Sequence, residues 1–418
     1  MSIGFACLTI AVQNTDFKSC IIKHCSEEKF LSVVKNNLTS LYNILNYNQN
    51  NNINLFRISS DLIPFGSHED IPVRNWEEYF EEDLLKIREI IKKTGIRLSM
   101  HPGQYTVLNS PSEDIVKRAV RDLEYHDKVL SLLNVNGENK IILHVGGVYG
   151  NKKVAIDRFK SNYKELSQNI KDRLVIENDD KLFNILDVLE IGNDIGIPVV
   201  YDNLHNECNK IIEESDSYWI TEAGKTWKKS DGKQKIHYSQ QNPEKKQGAH
   251  SETIDSKEFL TFYNSLSNKD IDIMLEVKDK NISAVKCNNI LDPIVKNVDA
   301  DWGRYKYLVM QKSEKIYSDI KTLMRDKKMQ NVSKIYTLIE EAFSLPDNIG
   351  QFVNSSQHVW GYFKTKADEK EKSSFLSLIN GYQRGIVSDK MVKKELWRLS
   401  RKYNEDYLID SYYFNEVR

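Results

Sequence analysis

Residues 174–205 read LVIENDDKLFNILDVLEIGNDIGIPVVYDNLH, and this stretch decides the fold prediction. Its two short apolar runs, LVI and IPVVY, are rich in β-branched residues and are typical of strands buried on both faces. The segment between them is compatible with a helix, so the stretch predicts a strand–helix–strand unit. The two strands end on carboxylates, Glu177 and Asp202, and His205 follows shortly after. In parallel α/β folds the carboxyl ends of the strands carry the chemistry.

The same unit recurs along the chain. Apolar runs alternate with helix-compatible segments eight times within residues 1–298, which is the rhythm of a TIM (β/α)8 barrel. The predicted strands are residues 3–12, 54–59, 96–100, 140–143, 174–177, 197–202, 235–238 and 271–275. Only helical patterns follow, at residues 305–325, 331–342, 366–382 and 389–403. We therefore predict an α/β protein with a TIM barrel domain, 1–298, and a smaller all-α domain, 299–418.

Composition sets few limits on function. The 418 residues are 40% hydrophobic and 28% charged, which is ordinary for a soluble globular protein, and the formal net charge is −1. No apolar run is long enough for a transmembrane helix, and the apolar N-terminus lacks the basic segment of a signal peptide. The five cysteines are scattered, as expected of reduced thiols. We therefore predict a cytoplasmic protein with no membrane partner.

Metal-competent side chains recur at the predicted strand ends. A histidine near a strand end is more often structural when it stands alone, and a lone acid there often caps the next helix. Here six of the eight strands share the feature, and two further histidines lie in the loops after strands 6 and 7. A closed parallel barrel would bring all of them to one mouth. The set is His101, His144, Glu177, Asp202, His205, His237, His250 and Glu276.

Charge repulsion within this set predicts bound cations. Glu177, Asp202 and Glu276 would repel one another, and a buried unpaired carboxylate is costly. Mixed imidazole and carboxylate ligands without thiolate suit Mn²⁺, Zn²⁺ or Fe²⁺ and, less well, Mg²⁺. Eight ligands are too many for one ion, so we predict two or three divalent metal ions. Clustered cations of this kind promote in-line displacement at phosphorus by activating water and neutralising charge.

Lys235 precedes His237 by two residues, so both side chains point the same way from a strand. A lysine that faces cations has the wrong charge. It must be neutral through a shifted pKa, reach elsewhere, or carry a modification that makes it an anion. A carboxylated lysine that bridges two metals would satisfy this geometry.

Two further segments are candidates for contact with nucleic acid. In HPGQY the proline and glycine predict a tight turn after strand 3, which places Gln104 and Tyr105 at its tip. Such a pair suits a wedge that enters a base stack, although an exposed turn with an incidental tyrosine is as good a reading. The polar insertion at residues 206–234 sets Trp219 and Trp227 among lysines, which predicts either a phosphate grip or a solvated loop with two anchoring tryptophans.

These motifs together resemble a known family, the UV damage endonucleases. The resemblance rests on SMHPGQYTVLNSP, ILHVGG, LVIEND, YDNLH, KIHYSQQ, GAHSE and MLEVKDKN, which occur in the family's order over residues 1–298. It implies a barrel related to endonuclease IV and two or three divalent metals, Mn²⁺ foremost, with Mg²⁺, Zn²⁺ or Co²⁺ as alternatives. It also implies a monomeric DNA excision repair enzyme that acts on UV-damaged double-stranded DNA. The expected nick lies immediately 5′ to cyclobutane pyrimidine dimers and 6-4 photoproducts and leaves a 3′-hydroxyl and a 5′-phosphate.

The resemblance also assigns roles residue by residue. It implies the eight metal ligands named above, Lys235 as a modified lysine, and Gln104 and Tyr105 as the lesion-probing pair. Lys235, Glu177 and Glu276 are the predicted catalytic residues. The first strand departs from the family, because Phe5 and Thr9 stand where a tyrosine and an asparagine are common.

The C-terminal motifs QHVWGYFK, INGYQRG and YLIDSYYF resemble a bacterial helical family of unknown function, the YbgA type. That resemblance implies no activity.

Three other functions compete with this prediction. A metal-dependent sugar isomerase or epimerase uses a similar barrel but needs fewer ligands and a small closed pocket. An abasic-site endonuclease is a closer alternative, and a metal-storing or scaffolding protein is the non-enzymatic one. Nicking of irradiated but not of untreated plasmid distinguishes them.

Overall fold

The structure is a computed structural model that describes residues 1–326 and 331–418. By its internal contacts the chain forms two compact units. The first comprises Met1–Thr9, Gln13–Ile254 and Glu258–Ala284, and the second comprises Ile10–Val12, Asp255–Lys257 and Val285–Arg418.

The first unit is built on a closed barrel of eight parallel strands in sequence order, which confirms the predicted TIM barrel. Nearly every strand residue is buried, as the apolar β-branched runs require of a sheet covered on both faces. The strands are β1 (Ser2–Ala6), β2 (Leu55–Ile58), β3 (Arg97–Met100), β4 (Lys140–His144), β5 (Leu174–Glu177), β6 (Val199–Asp202), β7 (Lys235–Tyr238) and β8 (Asp272–Leu275).

Helices connect these strands, and their ends follow sequence signals. Asn184 caps α6 by accepting from the backbone N–H groups of Leu186 and Asp187, while the Asp187 carboxylate accepts from the Asn184 N–H. The same helix ends at Gly196, whose φ of 70° suits glycine. The helices are α1 (Glu27–Asn50), α2 (Glu81–Thr94), α3 (Glu113–Leu132), α4 (Lys152–Lys164), α5 (Gln168–Arg173), α6 (Ile185–Ile195), α7 (Asn203–Cys208), α8 (Asp216–Gly224), α9 (Ser256–Ser265) and α10 (Asn281–Leu291).

The second unit is helical, as predicted, around a core that includes Phe352, Phe375 and Leu396. Several details of the prediction are wrong. The helix predicted at 305–325 is two helices, the first of which begins at Val295, because Ser313 between them is extended (φ −157°, ψ 115°). The helices Ile349–Trp360 and Asp406–Ile409 were not predicted at all. The helices are α11 (Val295–Lys312), α12 (Glu314–Asp326), α13 (Val332–Ser344), α14 (Ile349–Trp360), α15 (Glu369–Gln383), α16 (Asp389–Lys402) and α17 (Asp406–Ile409).

Two predictions within the barrel sequence also need correction. The first strand ends at Ala6 rather than at residue 12, because Cys7 turns the chain with a φ of 70°. The polar insertion at 206–234 is not a loop throughout, since α8 lies within it. Across the two described ranges, no helix combines the length and the apolar character that crossing a membrane requires.

Candidate metal centre

Glu177 lies at the centre of the predicted ligand set. It is the last residue of β5, is 1% exposed, and pairs in register with His144 at the end of β4. Its Oε2 lies 3.1 Å from His101 Nε2 and 3.5 Å from His144 Nε2. Its Oε1 lies 2.6 Å from His237 Nδ1 and 3.7 Å from His205 Nδ1. Four imidazoles from four segments of the chain therefore converge on one carboxylate, as the parallel strand ends predict.

Asp202 and His205 form the second part of the centre. Asp202 ends β6 and caps α7, because its Oδ1 accepts from the His205 backbone N–H at 2.8 Å. His205 Nδ1 lies 3.9 Å from the same oxygen and 3.0 Å from the Asn178 carbonyl oxygen. Asn178 also holds the Asp202 backbone, donating to its carbonyl at 3.0 Å and accepting from its N–H at 2.9 Å. The start of α7 and the Asn178 amide thus fix the orientation of Asp202 relative to His205.

Glu276 follows β8 and joins the centre through His237, whose Nδ1 lies 3.3 Å from Glu276 Oε1. Arg57 of β2 donates to the same Glu276 oxygen, and both side chains are nearly buried, 12% and 13% exposed. Arg57 was not among the predicted site residues. The sequence did contain an indication of its role, because a lone cation within the apolar run LFRI of a buried strand needs a carboxylate partner.

Burial and neighbouring charges shift the pKa values of the centre. Burial tends to raise the pKa of Glu177, but the surrounding imidazoles, His237 first, hold it well below its usual range. Burial also tends to raise the pKa of Glu276, but the positive charge of Arg57 outweighs burial and holds that pKa below its usual range. Burial lowers the pKa of His101 to about 4 against the pull of Glu177. For His205, the carboxylates of Asp202 and Glu177 outweigh burial and raise its pKa to about 9.

The donor atoms of this cluster fit divalent cations. The potential ligand atoms form three groups, and within each group they lie within 4.8 Å of one another. Each group contains Glu177. In the described residues, three buried donor atoms of the cluster lack a hydrogen-bond partner: His144 Nδ1, Asp202 Oδ2 and His237 Nε2. Unsatisfied buried polar atoms are rare, and a bound ion is one of the few explanations for them. The three groups are His101–His144–Glu177, Glu177–His237–Glu276 and Glu177–Asp202–His205.

Lys235 is buried in β7, and its Nζ has no hydrogen-bond partner among the residues that the structure describes. Burial, reinforced by the positive charges of Arg97 and Arg57, holds its pKa well below the usual value, against the opposing charge of Asp272. A lowered pKa favours the neutral amine, which was one of the three alternatives for this lysine.

His250 is the predicted ligand that lies outside the three groups found among the described residues. It is half-buried, and its backbone pairs with Gln241 in an isolated antiparallel bridge. Gln104 and Tyr105 are both exposed, Tyr105 by 70%, on a turn closed by the Thr106 N–H donating to the Gly103 carbonyl at 2.9 Å.

Of the two alternatives predicted for Trp219 and Trp227, the structure favours the second, in which both tryptophans anchor the chain. Trp219 is buried in α8, with 3% of its surface exposed. The Trp227 indole N–H donates to the Val199 carbonyl at 2.8 Å, and Val199 begins β6. The Trp227 ring therefore lies at the amino end of that strand, whereas the predicted ligand Asp202 lies at its carboxyl end. Both tryptophans anchor the connection between β6 and β7.

Fold and site together define a class: a (β/α)8 barrel enzyme with a histidine–carboxylate centre able to hold metal ions at the carboxyl ends of its strands. Residues 1–297 match the family described as UV-endonuclease UvdE, and the chain belongs to that family. The family implies nuclease activity. Residues 306–417 match a protein family of unknown function, DUF1722, in agreement with the predicted resemblance of the helical region.

Individual relatives agree with this family. A UV DNA damage endonuclease of Clostridium perfringens is 41% identical over 407 residues, which is 94% of this chain and 96% of the relative. A putative UV-damage endonuclease of Acanthamoeba polyphaga mimivirus is 32% identical and covers 73% of this chain and 95% of its own. The crystal structure of SacUVDE is 40% identical and covers 70% of this chain and 98% of its own, with a TM-score of 0.66.

Proposed function

We propose that this protein is a DNA repair endonuclease that nicks UV-damaged double-stranded DNA immediately 5′ to cyclobutane pyrimidine dimers and 6-4 photoproducts. The nick leaves a 3′-hydroxyl and a 5′-phosphate. One observation carries the proposal: imidazoles and carboxylates from separate strands meet around Glu177 at one mouth of the barrel. Membership of the UV-endonuclease family supports the choice of substrate.

The activity is proposed to depend on two or three divalent cations, with Mn²⁺ foremost. Bound cations supply Lewis acidity and charge neutralisation for displacement at the scissile phosphate. The proposed ligands are the eight residues of the sequence prediction: His101, His144, Glu177, Asp202, His205, His237, His250 and Glu276. His250 is included because of its motif, GAHSE, although its side chain does not belong to the three groups described above.

The side chains of the chain itself have distinct tasks in this proposal. Glu177 orients four imidazoles, and Arg57 holds the Glu276 carboxylate toward His237. The Lys235 amine, whose pKa is lowered, is proposed to add through its nitrogen to the carbon of CO₂ and to release one proton to water. The resulting anionic carbamate would supply a further oxygen ligand. With Glu177 and Glu276, Lys235 completes the proposed catalytic residues.

Lesion recognition is assigned to Gln104 and Tyr105. A photoproduct weakens the base stack, so the damaged nucleotides cost less to unstack than normal ones. The exposed amide and ring on the turn after β3 would enter the gap and replace the lost stacking. Residues 1–298 carry the activity in this proposal, residues 299–418 form a separate helical domain, and the protein acts as a monomer.

The test is a nicking assay on supercoiled plasmid, irradiated or untreated, with added Mn²⁺. Relaxed circles are expected only from the irradiated plasmid. His101→Ala and Glu276→Gln should abolish nicking while a gel-shift assay still detects binding to irradiated DNA. His68→Ala is the matched control, since this exposed histidine lies outside the centre and should not matter. Nicking of both plasmids alike, or wild-type nicking by His101→Ala, would refute the proposal.

A further inference from the structure

The helical unit carries an aromatic surface that the proposed endonuclease activity does not use. It consists of Trp302, Lys306, Tyr317, Tyr362 and Tyr407, and is called here the tyrosine–lysine surface. Tyr407 lies within α17 and is 41% exposed, although it is a large ring. Tyr362 lies in the motif QHVWGYFK, which resembles a family with no known function.

The rings of this surface are held in fixed positions. Tyr407 stacks nearly parallel to Tyr362, with ring centroids 6.1 Å apart and an interplanar angle of 13°. The Tyr407 hydroxyl donates to the Gly303 carbonyl at 3.2 Å. The Tyr307 hydroxyl donates to that of Tyr362 at 3.1 Å, so the second ring is anchored as well. The Tyr407 ring is partly exposed and anchored at its hydroxyl end, so a ligand that contacts its exposed part costs it little rotational freedom.

A cation lies beside the same rings. Lys306 Nζ is 4.8 Å from the centroid of Tyr407 and 4.6 Å from that of Tyr307. The ring centroids of Tyr317 and Trp302 are 5.8 Å apart, and Nζ of a second lysine, Lys321, lies 5.9 Å from the Tyr317 centroid. Lysines interleaved with aromatic faces are how proteins bind unpaired nucleic acid, because bases stack on the rings and phosphates meet the ammonium groups.

The charge of the helical region favours a polyanion. Residues 285–418 contain 23 lysines and arginines against 18 aspartates and glutamates, a formal net charge of +5. The other 284 residues contain the remaining 36 basic and 42 acidic residues of the chain, a net charge of −6. Glu405, two residues before Tyr407, is paired with Lys366. The net charge of residues 285–418 therefore favours contact with a polyanion such as DNA, whereas the net charge of residues 1–284 does not.

We propose that the tyrosine–lysine surface binds unpaired DNA, with a base stacked on Tyr407 and a phosphate beside Lys306. An enzyme that opens the helix at a lesion creates unpaired nucleotides, so the helical unit would retain DNA in that state. The choice of DNA as partner rests on the proposed function, whereas the stacking geometry does not.

The test is fluorescence anisotropy of the full chain with a labelled oligothymidylate, in EDTA, so that no metal chemistry is needed. Tyr407→Ala should weaken binding by about tenfold, the loss expected for one stacked base. Tyr407→Phe keeps the ring but loses its hydrogen bond to the Gly303 carbonyl, so its loss of affinity should be smaller than that of Tyr407→Ala. Lys306→Gln should lower the slope of log affinity against log salt by about 0.7, the value for one phosphate contact on a single strand. Tyr79→Ala is the matched control, an exposed tyrosine of the barrel unit.

Wild-type binding by both Tyr407→Ala and Lys306→Gln would overturn the proposal, as would an equal loss of affinity for a fully paired duplex. Lys306→Gln keeps the test valid if Tyr407→Ala fails to fold, which circular dichroism would show. Plasmid nicking with Mn²⁺ on the same preparations separates the two proposals. A protein that binds the oligothymidylate through Tyr407 but nicks nothing would refute the endonuclease and leave this surface intact.

Discussion

Replacing Arg57 with methionine removes the guanidinium that pairs with Glu276, and leaves that carboxylate nearly buried beside Glu177. Breaking one side of a buried ion pair costs roughly 3–5 kcal/mol, because the remaining charge is uncompensated. In a domain of this size the melting temperature should fall by roughly 6–20 °C. Calorimetry of the EDTA-treated protein measures the fall. Added Mn²⁺ should then raise the melting temperature of Arg57→Met more than that of the wild type, because cations replace the lost positive charge.

Arg173→Met is the matched control. Arg173 is similarly buried, 9% exposed, and pairs with Asp127 at 2.7 Å, but it ends α5 just before β5 begins, whereas Glu177 of the centre is the last residue of that strand. The melting temperature of this variant should also fall, but added Mn²⁺ should raise it by no more than it raises that of the wild type. The double variant Arg57→Met/Glu276→Gln should recover at least about 2 kcal/mol of the loss, because both charges are gone. Equal stability of the single and double variants would refute the electrostatic reasoning.

Three further predictions concern separate features. Tyr105→Ala should lower the ratio of nicking on irradiated to untreated plasmid while calorimetric Mn²⁺ binding is unchanged, and Tyr79→Ala should alter neither. Dialysis against EDTA should abolish nicking, and Mn²⁺ should restore it. Hydrogen bonds from Lys402 and Tyr403 lower the pKa of Glu371 to about 2. The ionised carboxylate therefore stabilises the helical unit fully at pH values above the ordinary glutamate pKa, and this stabilisation is lost as the pH falls toward 2. Glu371→Gln should therefore flatten acid unfolding followed by circular dichroism; an unchanged profile would contradict this.

Periodicity and strand-end chemistry predicted the barrel and much of its centre. The runs at β5 and β6 are apolar on both faces, so they could only be buried strands, and parallel geometry then placed Glu177, Asp202 and His237 together. Arg57 was not predicted because it lies inside a strand, whereas the predicted site residues lie at strand ends and in the loops that follow them. His250 depends on the path of a loop, which residue patterns do not specify.

Helix prediction failed where propensity and packing disagree. The α14 sequence IGQFVNSSQHVW contains serine, asparagine and glycine, which favour turns in isolation. It is helical because Phe352, Val353 and Val359 enter the core of the helical unit and Asn348 caps its first turn. The break at Ser313 carries no glycine or proline, so the pattern on either side was read as one helix.

Anomalous diffraction at the manganese absorption edge, from crystals grown with Mn²⁺, would show whether the imidazoles and carboxylates around Glu177 hold metal ions. We expect two or three peaks within ligand distance of the carboxylates of Glu177, Asp202 and Glu276, with density beyond Lys235 Nζ. A map with no peak between these carboxylates would contradict this expectation.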